Sequence, residues 1–251
     1  MKLSTDELTC DAFLGGRLHL WQPAQGYRAG IDAVLLAAAV PAVAGQSVLD
    51  LGCGVGAAAL CLGARVPGLN LAGIEVQARY ADLARRNGIE NRITLDVHTG
   101  DIAMMPAPLR QRSFDHVIVN PPYFHAQNRI PSPEIGRETA QAGDTPLVEW
   151  VDAATRRLAP KGRLSVILRA DRLPDLMSAI DDRLGSIILW PFQARISRPA
   201  RMILLTAQKG GRSAFILRNP LILHSGQRHD SDRESYTESV RMALRDARPL
   251  I

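Results

Sequence analysis

Residues 48–60 read "VLDLGCGVGAAAL", an apolar run that breaks into three closely spaced glycines and resumes as a stretch of small residues. The first half has the pattern of a buried strand and the second suits a helix, so the chain passes from strand to helix through Gly52, Gly54 and Gly56. Glycines there permit a tight turn and let backbone N–H groups approach a ligand at a helix N-terminus. The turn also satisfies the relaxed dinucleotide fingerprint, Gly52-x-Gly54-x-x-Ala57. Taken alone it therefore leaves a nicotinamide or flavin enzyme open.

On the carboxyl side the alternation continues. "LNLAGIE" (69–75) reads as a second strand, and a helix follows through "VQARYADLARRNG" with Gly88 as its C-cap. "RITLDVHTGD" (92–101) and "FDHVIVN" (114–120) read as the third and fourth strands. "PLVEWVDAATRRLAP" (146–160) is helical, "GRLSVILR" (162–169) is the fifth strand, and "RLPDLMSAIDDRLG" (172–185) is another helix. "SIILWPF" and "RMILLTAQ" complete the set, joined by "QARISRPA", which is too short for a crossover helix and predicts an antiparallel pair. The pattern predicts an α/β protein with a doubly wound, seven-stranded, mostly parallel sheet, whose ligand lies across the carboxyl ends of the strands.

On the amino side, residues 11–45 predict a hairpin turned at Gly15-Gly16 and a helix capped by Asp32 or its neighbours. The tail predicts one more strand and a last helix from about Glu234. The expected division is an extension or lid over 1–45, a ligand-binding domain over 46–212, and a strand and helix packed on it over 213–251.

The chain has 251 residues, 46% hydrophobic and 22% charged, which is the composition of an ordinary globular domain. Its net charge of +5, carried largely by arginine, favours an anionic partner. The start "MKLSTDELTCDAF" lacks an apolar leader, and no apolar run is of membrane length, which predicts a cytoplasmic protein. Three cysteines, Cys10, Cys53 and Cys61, stand at no ligand spacing, so reduced thiols are expected. The polar run "HSGQRHDSD" (224–232) reads as a solvated loop, and no metal is predicted.

Acids at the strand ends narrow the ligand. Asp50, just before the first glycine, would sit badly beside a pyrophosphate and well beside an ammonium group. Glu75 ends the second strand, where an acid accepts both hydroxyls of a ribose. Asp101 follows the third strand, where it or its neighbouring N–H meets an adenine edge. Ammonium, ribose and adenine in that order describe S-adenosylmethionine.

The fourth strand ends in "NPPYFH" (120–125). Two prolines fix φ, remove two donors and stop the strand. The Asn120 side-chain oxygen and the Pro121 carbonyl are thereby held as a rigid pair of acceptors for a planar amino group, and Tyr123 can stack on a planar substrate. Attack of such a nitrogen on a methyl group needs no strong general base beforehand. The same chemistry serves a glutamine amide or a guanine amine as well as an adenine.

"DLGCGVG", Glu75, "GD" and "NPPYF" together resemble the class I S-adenosylmethionine-dependent methyltransferases of the amino-group branch. "QPAQGYRAGIDAVLLAAA" (22–39), "RETA", "GRLSVILRADRLPDLM", "RPARMILLTAQKG" and "ESYTESVRMAL" extend the likeness to nearly the whole chain. They are similar to the bacterial tRNA1(Val) adenine-N6 methyltransferase family, which modifies the adenosine just 3′ of the anticodon. The resemblance implies that Asp50, Gly52, Gly54, Gly56, Glu75, Asp101 and Ile102 bind S-adenosylmethionine, together with Asn120. It implies that Asn120, Pro121 and Tyr123 receive the adenine, and that Arg28 and Asp32 close the site near the methionine end. A tRNA substrate follows, with no membrane and no metal. Arg137 is a phosphate contact on this reading; related sequences often carry a second arginine shortly after it, where Gln141 or its neighbours stand here. "RISRPAR" (195–201) and "KGGR" (209–212) are further basic segments able to track an RNA backbone.

Overall fold

The computed structural model describes residues 7–122, 145–226 and 235–250. Tyr123, Arg137, Gln141 and Glu234 lie outside them, as does most of the polar run 224–232.

The chain opens with an antiparallel hairpin, β1 (Leu8–Phe13) and β2 (Leu18–Pro23), joined through Gly15 and Gly16 at positive φ. α1 (Ile31–Ala39) follows, with seven of its residues buried. The alternation after it gives β3 (Ser47–Leu51), α2 (Ala57–Arg65), β4 (Asn70–Glu75), α3 (Ala78–Glu90) and β5 (Leu95–Thr99). Then come α4 (Ala107–Arg110), β6 (Phe114–Val119), α5 (Leu147–Arg157), β7 (Leu158–Arg169), α6 (Leu173–Ala179), β8 (Leu184–Gln193) and β9 (Ala200–Lys209). Two short strands, β10 (Ile216–Leu217) and β11 (Leu221–Ile222), precede α7 (Glu238–Asp246).

Among the described residues the central sheet has nine strands, in the order β10-β8-β9-β7-β6-β3-β4-β5, with β11 also on β8. β9 runs antiparallel to both β7 and β8, as the short connection required, and the other pairs are parallel. Strand alternation divides the core into two layers. Val48, Leu71, Ile118, Ile167 and Leu204 face α1 and α2. Leu49, Leu51, Ile74, Val117, Val119, Val166 and Leu205 face the opposite layer with Trp150 and Val151 of α5 and Leu176 of α6. The amphipathic spacing of α5 explains its place, since Leu147, Trp150, Val151 and Ala154 form one buried stripe.

Several boundaries differ from the sequence expectation. Gly88 lies inside α3, which continues to Glu90 with Asn91 as C-cap. Gly88 takes part in the helix end as an acceptor and not as the cap: the Ile93 N–H bonds the Gly88 carbonyl at 2.9 Å and the Arg92 N–H the Ile89 carbonyl at 3.1 Å, with Arg92, at φ 56°, in the left-handed place, and a Cβ on Gly88 would stand 3.0 Å from the Ile93 carbonyl. α1 is capped by Gly30 with no side-chain bond, and Asp32 sits in its first turn. The helix expected over 172–185 ends at Ala179, because Leu184 and Gly185 pair with Lys209 and Gln208. Pro160 falls within β7 instead of ending a helix; a register shift between Phe114 and His116 on β6 absorbs it. The last helix begins at Glu238.

Candidate active site

The carboxyl ends of four adjacent parallel strands bring the expected residues together. Leu51 of β3 pairs with Val119 of β6 and Ile74 of β4, and Glu75 pairs with Thr99 of β5. Asn120, the glycine turn, Glu75 and Asp101 therefore stand in a row along one edge of the sheet.

The turn is built by conformations that glycine adopts freely. Gly52, Gly54 and Gly56 have φ of 66°, 54° and 84°. Their surroundings differ. A Cβ on Gly52 would lie 2.6 Å from Trp150 Cη2, so this glycine admits the α5 indole. On Gly56 it would lie 3.1 Å from Leu95 Cδ2, against the core. On Gly54 it would meet only Tyr27 Cε1, at 3.5 Å, so this is the open side of the turn.

The acids brace the turn. Glu75 accepts from the Gly54 N–H at 3.0 Å and from the Gln77 N–H at 2.9 Å. Burial raises its carboxyl against those backbone bonds. Asp50, only 2% exposed, accepts from the Ala59 N–H at 3.3 Å in the first turn of α2. Burial pushes its carboxyl up to about 8, with the Glu75 charge adding to the shift. Burial also raises Asp32. Tyr27 is 43% exposed as a whole, yet its hydroxyl is raised too, by desolvation of that end first and then by Asp32, Asp50 and Glu75 in turn, which places all three acids near it. Among the described residues no lysine or arginine enters the causes of these four shifts, while Arg85 acts on the Cys53 thiol that Asp50 and Glu75 also raise.

Asp101 accepts from the Ala103 N–H at 2.9 Å just past β5, and Ile102 beside it is buried in the core layer with Met105. Asn120 is half-buried at the end of β6, and among the described residues its buried Oδ1 has no hydrogen-bond partner. Pro121 is buried behind it. Arg28, expected with Asp32 to close the site near the methionine end, is held on the hairpin. Its guanidinium pairs with Asp11 at 2.6 Å and donates to Thr9 Oγ1 and the Pro23 carbonyl, all on the hairpin.

Three residues that the sequence reading did not single out shape the site. The Tyr80 hydroxyl accepts from the Tyr27 N–H at 3.1 Å and donates to the Tyr27 carbonyl at 3.2 Å, fixing Tyr27 over the glycine turn. Asn87, fully buried, accepts from the Trp21 N–H at 2.8 Å and donates to the carbonyls of Trp21 and Val55, tying hairpin, α3 and turn together. A polar residue on the buried face of α3 was the available signal for it. A cavity of about 540 Å³ opens elsewhere, lined by Arg17, Arg65, Arg241 and Arg248 at the far end of α2. None of the strand-end residues borders it.

A glycine turn between the first two parallel elements, acids at successive strand ends and a reversed β9 are the marks of a class I methyltransferase. Solved structures agree. A protein of Agrobacterium tumefaciens, described as a predicted O-methyltransferase, superposes with a TM-score of 0.68 at 25% identity, covering 87% of this chain and 97% of its own. The Thermus thermophilus 16S rRNA N2 G1207 methyltransferase RsmC, solved with AdoMet and guanosine, shares the fold at a TM-score of 0.55 and 20% identity, over 80% of this chain and 50% of its own.

The methyltransferase small domain family matches residues 28–180. The tRNA1(Val) (adenine(37)-N6)-methyltransferase of Porphyromonas gingivalis is 34% identical over 66% of this chain and 68% of its own. Its counterpart in Dickeya chrysanthemi is 29% identical over 87% of each. The chain belongs to the methyltransferase small domain family and, within it, to the tRNA1(Val) (adenine(37)-N6)-methyltransferases.

Proposed function

We propose that the protein transfers a methyl group from S-adenosylmethionine to the exocyclic N6 of an adenine in tRNA, next to the anticodon. The observation that carries this reading is the Asn120 Oδ1, buried and, among the described residues, without a hydrogen bond at the end of β6, one strand from the glycine turn. An orphaned buried acceptor costs free energy that a donor from the substrate recovers. An adenine amino group supplies that donor.

The residues present fit the cofactor. Asp50 would hold the ammonium with Asp32 nearby, Glu75 the ribose hydroxyls, and Asp101 with Ile102 the adenine edge and face. The Gly54 side of the turn leaves room for close approach, with Gly52 and Gly56 shaping the turn. S-adenosylmethionine, when bound, supplies an electrophilic methyl group on a sulfonium. Three acids with no cation, among the described residues, in the causes of their shifts suit a ligand bearing positive charge far better than a pyrophosphate, which argues against a nicotinamide enzyme.

Asn120 Oδ1 and the Pro121 carbonyl would accept the two N–H bonds of the amino group and orient its lone pair toward the methyl. After transfer the nitrogen carries one proton too many, which passes to solvent. Tyr123 would stack on the adenine. Arg28 would act at one remove by anchoring the segment that carries Tyr27 and Asp32.

Calorimetry with S-adenosylmethionine and with NADH, followed by labelled methyl transfer to unmodified total tRNA, tests the reading. Binding of the first ligand alone and label in RNA are expected. NADH binding, or label in protein in place of RNA, would overturn it.

A further inference from the structure

Beyond the carboxyl end of the sheet, the turn between β8 and β9 presents cations on a rigid support. Arg195 is only 9% exposed; its guanidinium donates to the carbonyls of Ser225 and Gly226, the latter at 3.0 Å, and lies 3.4 Å from Ser235 Oγ. The Gln193 amide donates to the carbonyls of Ile196 and Arg198, and the Arg198 N–H bonds the Arg195 carbonyl at 2.9 Å. The turn is thus braced from inside by one buried cation and one amide.

What it exposes is chemically distinct. Ile196 is 76% exposed, and Arg198 and Arg201 are exposed. Among the described residues neither of those two guanidiniums makes a hydrogen bond or ion pair. Their neighbours along the same edge are already neutralised, Arg169 by Asp171 at 2.7 Å and Arg172 by Asp175 at 3.3 Å. Two uncompensated charges therefore remain, Arg198 in the fixed turn and Arg201 at the start of β9 beside it.

The tip stands on the edge that carries Asn120. Val119 pairs with Val166 on β7, which puts Asn120 level with Ile167; Arg169 pairs with Met202, which puts Arg201 level with Ala170. Arg201 thus lies two strands across and three residues beyond, about 10 Å in each direction at ordinary strand spacings, ignoring sheet twist. An RNA strand with one base inserted beside Asn120 covers that reach within a few nucleotides.

We propose that the β8–β9 turn is an RNA-docking element, in which Arg198 and Arg201 contact backbone phosphates of the substrate strand beside the target adenine and Ile196 packs against an adjacent sugar or base. Arg195 and Gln193 are positioning residues for this tip. The assignment rests on the tRNA reading above for the identity of the strand, and on the braced geometry for the contact itself. Phosphate contacts of this kind set register and affinity without reading sequence.

The test is tRNA binding by the full chain as a function of salt, with the double variant Arg198→Ala/Arg201→Ala beside the wild type. Each lost phosphate contact on a single strand flattens the log–log salt dependence by about 0.7, so the pair should flatten it by about 1.4 and weaken binding roughly 10- to 100-fold. S-adenosylmethionine affinity and the thermal midpoint should stay unchanged, because among the described residues neither side chain has a partner to lose. An unchanged slope and affinity would overturn the docking element while leaving methyl transfer to tRNA by the wild type intact. If the wild type transferred no methyl to RNA, the functional reading would fall, and the salt slope would still report whether this turn binds RNA. Weakened binding of an acidic protein, with RNA binding unaffected, would also overturn the proposal.

Discussion

An amide oxygen buried without a hydrogen bond costs on the order of 1–3 kcal/mol, and Asn120, whose Oδ1 has no partner among the described residues, bears that cost at the end of β6. The account makes this strain useful only when a substrate N–H arrives. Replacing Asn120 with Ala should therefore lower turnover about a hundredfold or more while cofactor affinity is retained, as single-turnover kinetics and calorimetry would show. Weaker cofactor binding with normal turnover would contradict the assigned role. Asp50 gives a second prediction at this scale. Its folded-state carboxyl stands near 8, up from 3.8, so the folded protein holds a proton that the unfolded chain releases between those values. The stability of the free protein should accordingly fall as pH rises from about 4 to about 8. An ammonium ligand favours the ionised form. At pH 7, cofactor binding should release a proton and tighten as pH rises toward 8, above which the ligand's own amino group, at about 7.7–8.0, begins to discharge. Calorimetry in buffers of different ionisation enthalpy measures that proton, and Asp50→Asn should abolish its release.

At the scale of elements, the site depends on how the hairpin and α3 are clamped to the glycine turn. Asn87 makes three hydrogen bonds from a fully buried position, to the backbone of Trp21 and Val55. Asn87→Ala leaves those backbone groups unpaired and should cost about 2–4 kcal/mol in denaturant unfolding, with cofactor affinity falling as the turn loosens. A change below about 0.5 kcal/mol would show that water satisfies those groups. Gly52→Ala should also destabilise, since the added methyl would stand 2.6 Å from the Trp150 ring at a φ of 66°. Sequence patterning located the elements because strand and helix periods differ. It placed their ends less well where tertiary packing decides. Gly88 looked like the helix cap, yet α3 runs on to Glu90 and Arg92, at φ 56°, takes the left-handed capping place. Pro160 looked like a helix stop, yet a bulge lets β7 run through it. α4 is a single turn with no periodic signal and was not anticipated.

For the molecule as a whole, the seven strands expected from alternation are present, and two short strands beside β8 extend the sheet. The strand-end residues were legible because a doubly wound sheet brings the ends of sequential strands to one edge. Tyr27 over Gly54, and the Arg28–Asp11 pair, depend on how the hairpin docks, which no local pattern encodes. Cys53 and Cys61 are buried and Cys10 is exposed. Among the described residues no helix is long and apolar enough to cross a membrane, and no three His, Cys, Asp or Glu residues group as metal ligands. Part of the chain's basic balance stands at Arg198 and Arg201, on the strand-end edge that carries Asn120. The most direct measurement of the central claim is the site of methylation. Unmodified tRNA is incubated with the protein and labelled S-adenosylmethionine, digested with a base-specific nuclease, and its nucleosides analysed by mass. The account predicts N6-methyladenosine in the fragment holding the adenosine immediately 3′ of the anticodon. Label in guanosine, at a carbon or hydroxyl position, or in an adenosine elsewhere would contradict it.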